Sequence, residues 1–234
     1  MWLKAPNINC THGFSTREGG VSTGLFQGLN LGGSEDDPKN ILQNRTLALS
    51  ELGLKLDDLC NLKQVHGTDV KNAIIGQQEG DALVTNEPGL ILAISVADCF
   101  PILFFDEENV VVGAAHAGWR GTVGRIVEKT IDEMLKLGAE VDHIKVAIGQ
   151  GICKTHFEVG PEVTEEFRQE GFPEQFLADN KIDLAGCNRF VLLDNGIDKR
   201  NIWTMNRCTF EPEMYSYRRD KATTGRMWGI ISLK

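Results

Sequence analysis

Apolar positions in this chain come mostly as short runs, and only in a few stretches do they recur with the period of a helix. Runs at 62–70, 81–84, 90–96, 102–105, 110–115, 144–148 and 228–233 predict strands. Residues 12–17 predict another before the Gly19-Gly20 loop, and Glu107, Glu108 and Asn109 predict a turn. Helical spacing appears in four places. Asp37 and Pro38 offer an N-cap and a first-turn proline for a helix that carries Ile41, Leu42, Leu49 and Leu52 up to Gly53. Val123, Ile126, Val127, Thr130, Ile131, Met134 and Leu135 predict a second helix from Thr122 to Gly138. Residues 161–170 and 188–195 predict two shorter ones. Strands outnumber helices and several are neighbouring hairpins, so the expected class is α/β of the α+β kind. A mixed sheet with flanking helices, in one domain over residues 1–234, fits better than a doubly wound parallel sheet.

The junction of the 110–115 run with the second helix holds Ala115-His116-Ala117-Gly118-Trp119-Arg120-Gly121-Thr122, which predicts a strand-to-helix loop. Free N–H groups at a helix start attract anions, glycines admit a ligand to the main chain, and Arg120 adds a forked donor. A glycine turn with a solvated arginine and a packed histidine accounts for the same residues. Arg45 lies on the apolar face of the first helix, where an inward guanidinium must bridge a buried carboxylate or reach an anion in a cleft.

Of the histidines His12, His66, His116, His143 and His156, two follow apolar runs and precede or approach glycine: His66 and His116. Cys99, in Ala97-Asp98-Cys99-Phe100-Pro101, sits between two apolar runs where proline predicts a break. Two imidazoles and a thiolate suit a zinc that keeps one position open. A nucleophilic Cys99, with His66 or His116 as base and Asp98 or another carboxylate orienting it, uses the same residues. Spacing does not separate the two.

Charge narrows the partners. A net charge of -9 and a pI near 5.1 argue against nucleic-acid binding, so a small ligand is expected. An anionic one would need local arginines, with Arg45, Arg120, Arg218 and Arg219 as candidates. Six cysteines without a C-x-x-C pair suggest neither zinc ribbon nor disulfide framework, and most read as reduced core thiols. Without a signal-like or membrane-length apolar segment, a cytoplasmic protein with no membrane partner is expected.

The strings LKQVHGTDV (62–70), DALVTNEPGLILAISVADCFPILFFD (81–106), AAHAGWRGT (114–122) and SYRRDKATTGRM (216–227) together resemble the YfiH-like, laccase-domain family. HGFSTREGGVS and LNLGG near the start, and FEVGPEV at 157–163, extend the resemblance over nearly the whole chain. Members of that family were catalogued as polyphenol oxidases and later assigned purine nucleoside phosphorylase activity. The resemblance implies a layered α-β-β-α sandwich and a zinc held by His66, Cys99 and His116, with copper possible at the same ligands. It implies catalysis at these three residues, and substrate contacts from Arg45, Arg120, Gly118 and Gly121. The implied partners are a purine nucleoside (adenosine, inosine, guanosine or 5'-methylthioadenosine) and phosphate, with adenosine deamination as a further reaction and a monomer or homodimer as the assembly. Asp98 is a candidate for proton transfer. Two positions depart from the pattern: Gln150 follows Ile148-Gly149 where proline is expected, and Val96 precedes Ala97-Asp98-Cys99 where threonine is common. A multicopper oxidase of the usual kind needs a trinuclear site built from His-x-His pairs, which five histidines without such a pair do not supply. A thiol hydrolase or peptidoglycan-precursor editing enzyme using Cys99 is the competing class, and a single-copper phenol oxidase is a further alternative.

Overall fold

The computed structural model describes residues 1–32, 35–221 and 223–233. Its strands and helices run β1 (Trp2–Leu3), β2 (Thr11–Ser15), α1 (Pro38–Glu51), β3 (Leu59–Lys63), β4 (Val70–Asn72), β5 (Gly76–Glu79), β6 (Ala82–Thr85), β7 (Ile91–Val96) and β8 (Phe100–Asp106). Then come β9 (Val111–Ala117), α2 (Trp119–Val123), α3 (Ile126–Lys136), β10 (Ile144–Ile148), α4 (Pro161–Gln169), α5 (Leu184–Asp194), β11 (Ile202–Thr204) and β12 (Met227–Ser232). They form two six-stranded mixed sheets, ordered β1-β2-β12-β7-β3-β5 and β11-β10-β8-β9-β6-β4.

Side-chain alternation shows why the sheets stack. In β8, Ile102 and Phe104 join the helix-side core, while Leu103 and Phe105 join the core between the sheets. In β7, Leu92 and Ile94 face the inter-sheet core, and Ile91 and Ala93 join Ala48 and Leu49 of α1 beneath the first sheet. Ile126, Ile131 and Met134 of α3 cover the second sheet together with Phe167 and Val191. The order is therefore helix, sheet, sheet, helix, the α-β-β-α arrangement expected. Gly113 in β9 admits α3 closely, since a Cβ there would lie 3.0 Å from Met134 Sδ.

Several expected boundaries move. The 62–70 run is split: β3 belongs to the first sheet and β4 to the second, so residues 64–69 cross between them. Gln64 anchors this crossing by donating from Nε2 to Ser95 O and accepting from Ser95 N, both at 2.8 Å. Pro101 lies inside β8 rather than breaking it, paired with His116 of β9, while its carbonyl accepts from Gly149 N. His116 and Ala117 consequently close β9, and the expected loop shrinks to the cap residue Gly118. The second helix is divided at Arg125, whose φ of 59° is left-handed. Gly124 lies against Thr68, where a Cβ would come within 2.7 Å of Cγ2, so the chain turns where it meets the crossing segment. In α1, Leu42 is 56 % exposed and Asn44, Ala48 and Leu49 take the inner face. The cysteines are not mostly core: Cys60 and Cys187 are buried, and Cys10, Cys99, Cys153 and Cys208 are half-buried. Among the described residues no helix is long and apolar enough to cross a membrane.

Candidate metal centre

Two of the segments that cross between the sheets carry chemistry. His66 sits in the β3–β4 crossing and Cys99 in the β7–β8 crossing, while His116 ends β9. Their donor atoms lie within 4.8 Å of one another. His66 adopts a left-handed φ of 59°, which turns its backbone N–H inward to donate to Asp81 Oδ1 at 2.9 Å. Gly67 N donates to Asp81 Oδ2 at 2.7 Å, and Val65 N donates to the same oxygen. His116 Nδ1 bonds Asp81 Oδ1 at 2.9 Å, which leaves Nε2 to meet Cys99 and His66. One fully buried carboxylate thus fixes the loop of one histidine and the tautomer of the other.

Electrostatics favours a thiolate. Burial opposes charge on Cys99, but the field and hydrogen bonds of His116 and His66 outweigh it and hold the thiol at about 6. Burial likewise disfavours the His116 cation, yet Cys99 and Asp81 raise it to about 9. Burial alone pushes the other way, lifting Cys10 to about 12 and Cys60 to about 11. Gly118 is required beside this group, because a Cβ there would stand 3.0 Å from Cys99 Sγ and 3.5 Å from His66 Cδ2. Gly121 lies between the carbonyls of His116 and Gly67.

The three donors open onto a cavity of about 600 Å³. Arg45, Arg120, Arg218 and Arg226 line it. Arg45 Nε donates to Leu31 O at 2.8 Å, its guanidinium stacks 5.1 Å from the Trp228 ring, and no carboxylate among the described residues pairs with it. Burial lowers the proton affinity of both Arg45 and Arg226, marking sites that gain from an anion. Arg120 lies 4.2 Å over Trp119, and Arg218 donates to Glu158 O. Arg219 does not reach the cavity: it pairs with Asp220 and donates to the carbonyls of Thr209, Glu211 and Met214. Gly118 and Gly121 are buried and lie outside the cavity lining. Asp98 lines it, but its carboxylate is engaged, accepting from Thr209 Oγ1 at 2.6 Å and Arg218 N at 2.7 Å. The residues that sequence reasoning missed are Arg226, whose surroundings carry no glycine-rich motif at its own position, and Asp81, which precedes an ordinary strand.

Residues 11–234 match the family described as multi-copper polyphenol oxidoreductase laccase. The chain belongs to this family. It is 48 % identical, over 99 % of its length and 92 % of the relative's, to a purine nucleoside phosphorylase of Deinococcus radiodurans. It is 36 % identical to "Adenosine deaminase RL5" of an unknown prokaryotic organism, over 98 % of this chain and 97 % of that one. The crystal structure of YlmD from Geobacillus stearothermophilus superposes with a TM-score of 0.93 at 33 % identity, covering 100 % of this chain and 96 % of that one. Family membership and fold are therefore settled together, whereas the family's descriptions span an oxidase, a phosphorylase and a deaminase.

Proposed function

We propose that this protein is a zinc-dependent purine nucleoside phosphorylase acting on adenosine, inosine, guanosine and 5'-methylthioadenosine, with adenosine deamination as a second activity. The observation that carries the reading is a His₂Cys donor set on the wall of a cavity that also holds four arginines. The names of the relatives in Deinococcus radiodurans and Bacteroides thetaiotaomicron, and of "Adenosine deaminase RL5", supply the substrate class. The donors fit zinc: two imidazoles and a depressed thiol, one imidazole oriented by a carboxylate, with no fourth protein donor among the described residues. When bound at His66, Cys99 and His116, zinc or copper would supply a Lewis acid at the cavity wall.

Phosphorolysis needs an anion beside the sugar's anomeric carbon and stabilisation of the departing purine as charge builds on it. Arg45 and Arg120 take the phosphate in this reading, with Arg226 beside them. Gly118 and Gly121 keep the backbone next to the histidines free of side chains. Trp119, Phe157 and Tyr217 line the same cavity and offer apolar faces to a purine. The test is chromatographic: protein of known metal content is given each nucleoside with and without phosphate. Phosphate-dependent release of free base and ribose 1-phosphate, or 5-methylthioribose 1-phosphate from 5'-methylthioadenosine, is expected, and base release independent of phosphate would overturn the assignment.

One observation favours a second reading. Cys99, His116 and Asp81 follow one another as nucleophile, base and orienting carboxylate would in a thiol hydrolase. Chelation separates the two. A metal-free protein that stays folded and keeps full turnover, but is inactivated by iodoacetamide on Cys99, belongs to the hydrolase class.

A further inference from the structure

A second group of thiophilic donors lies apart from the centre just described. Cys153 and His156 belong to the turn after β10, in which the backbone N–H of both His156 and Phe157 donates to Cys153 O. Cys208 follows β11 and is aligned with Gly151 by a parallel bridge, Gly151 N donating to Arg207 O and Thr209 N to Gly151 O. The two sulfurs are 2.8 Å apart, and His156 Nδ1 stands 3.1 Å from Cys153 Sγ and 3.4 Å from Cys208 Sγ. The His156 ring lies flat on Phe210, centroids 4.0 Å apart with 4° between the planes, so its aim at both sulfurs is fixed by packing.

A disulfide would need no third donor, whereas an imidazole nitrogen locked onto both sulfurs completes three corners of a tetrahedron. We propose that Cys153, His156 and Cys208 form a second metal site for a thiophilic d¹⁰ ion, zinc being the probe. With zinc–sulfur bonds of about 2.3 Å the sulfurs would separate by roughly 1 Å more, a movement open to two half-buried side chains. The neighbouring carboxylates are committed elsewhere: Glu211 Oε1 accepts from Cys208 N and its other oxygen pairs with Arg207, and Asp183 caps α5. The fourth position therefore faces solvent in a cavity of about 350 Å³ that Cys153 and Cys208 line.

The ion would act as a clamp. Ile152, next to Cys153, donates from N to Asp98 O, and Thr209, next to Cys208, donates from Oγ1 to Asp98 Oδ1. The joined segments are thus the ones that grip the residue preceding Cys99.

The test uses full-length, reduced protein and reads metal, not turnover. Cys99→Ser removes the thiolate of the His66/His116 centre, so a near-ultraviolet sulfur-to-cobalt charge-transfer band in cobalt-loaded Cys99→Ser protein is expected from the second site alone. Adding Cys153→Ser and Cys208→Ser should abolish that band, and His156→Ala should weaken cobalt binding by about tenfold or more. In parallel, zinc stoichiometry should fall by one ion per chain between the natural protein and Cys153→Ser/Cys208→Ser, each variant being checked for folding by circular dichroism. Absence of the band in folded Cys99→Ser protein, its survival without Cys153 and Cys208, or an unchanged zinc count would overturn the proposal. So would a Cys153–Cys208 disulfide which, once reduced, leaves thiols that bind no metal. None of these results depends on whether the enzyme is a phosphorylase.

Discussion

Asp81 does the most for the fewest atoms. It accepts from three backbone N–H groups of the β3–β4 crossing and binds His116, so its carboxylate pre-forms two of the three donors. Asp81→Asn keeps the shape but loses the charge, and metal affinity should fall by about 10–100-fold with the melting temperature moved far less, as equilibrium dialysis would measure. Gly118→Ala places a methyl 3.0 Å from Cys99 Sγ; it should lower metal content and turnover together while far-ultraviolet circular dichroism stays unchanged. The three donors were legible in the sequence because histidine and cysteine are chemically scarce and sit at the ends of apolar runs. Asp81 was not, since its role appears only when residues 35 positions apart are folded against each other. Arg45 was legible as an inward cation; the missing carboxylate partner needed the structure.

The strands marked by apolar runs were placed well, the short β1, β5 and β11 went unread, and the allegiance of strands to sheets was not legible, for a physical reason. β8 and β9 are buried on both faces throughout, so they show no polar alternation to reveal which sheet they join. The break within 62–70 went unread because an apolar run does not announce a change of sheet. The division of the second helix depends on Thr68 pressing against Gly124, a contact no helical period encodes. At the N-terminal edge, His12 of β2 accepts Ala5 N at Nε2, 2.9 Å away, with Nδ1 3.0 Å from Cys10 O, and burial lowers its proton affinity from 6.5. The unfolded chain then binds the extra proton more readily than the folded one. The stability this residue contributes is present above pH 6.5 and is lost as pH falls below it towards the depressed folded value. Denaturant unfolding across that range should show the loss, and His12→Gln should remove that share of the pH dependence.

At the scale of the molecule, the two faces of the second sheet serve different ends. Met134→Ala opens the helix-side core and Leu103→Ala the inter-sheet core, and each should cost about 2–5 kcal/mol in urea unfolding. Their effects on the centre should differ. His66 and Cys99 ride on two of the segments that pass from one sheet to the other, while His116 is fixed to the second sheet alone. Any slip of one sheet over the other changes the distances among the donors before it exposes the core. Leu103→Ala should therefore release metal at urea concentrations below the unfolding midpoint, and Met134→Ala should release it only on unfolding. An ion held there would thus serve as a gauge of alignment: a lineage that let its sandwich drift would lose the metal, and with it selection on the site, while the protein still passed every test of being folded.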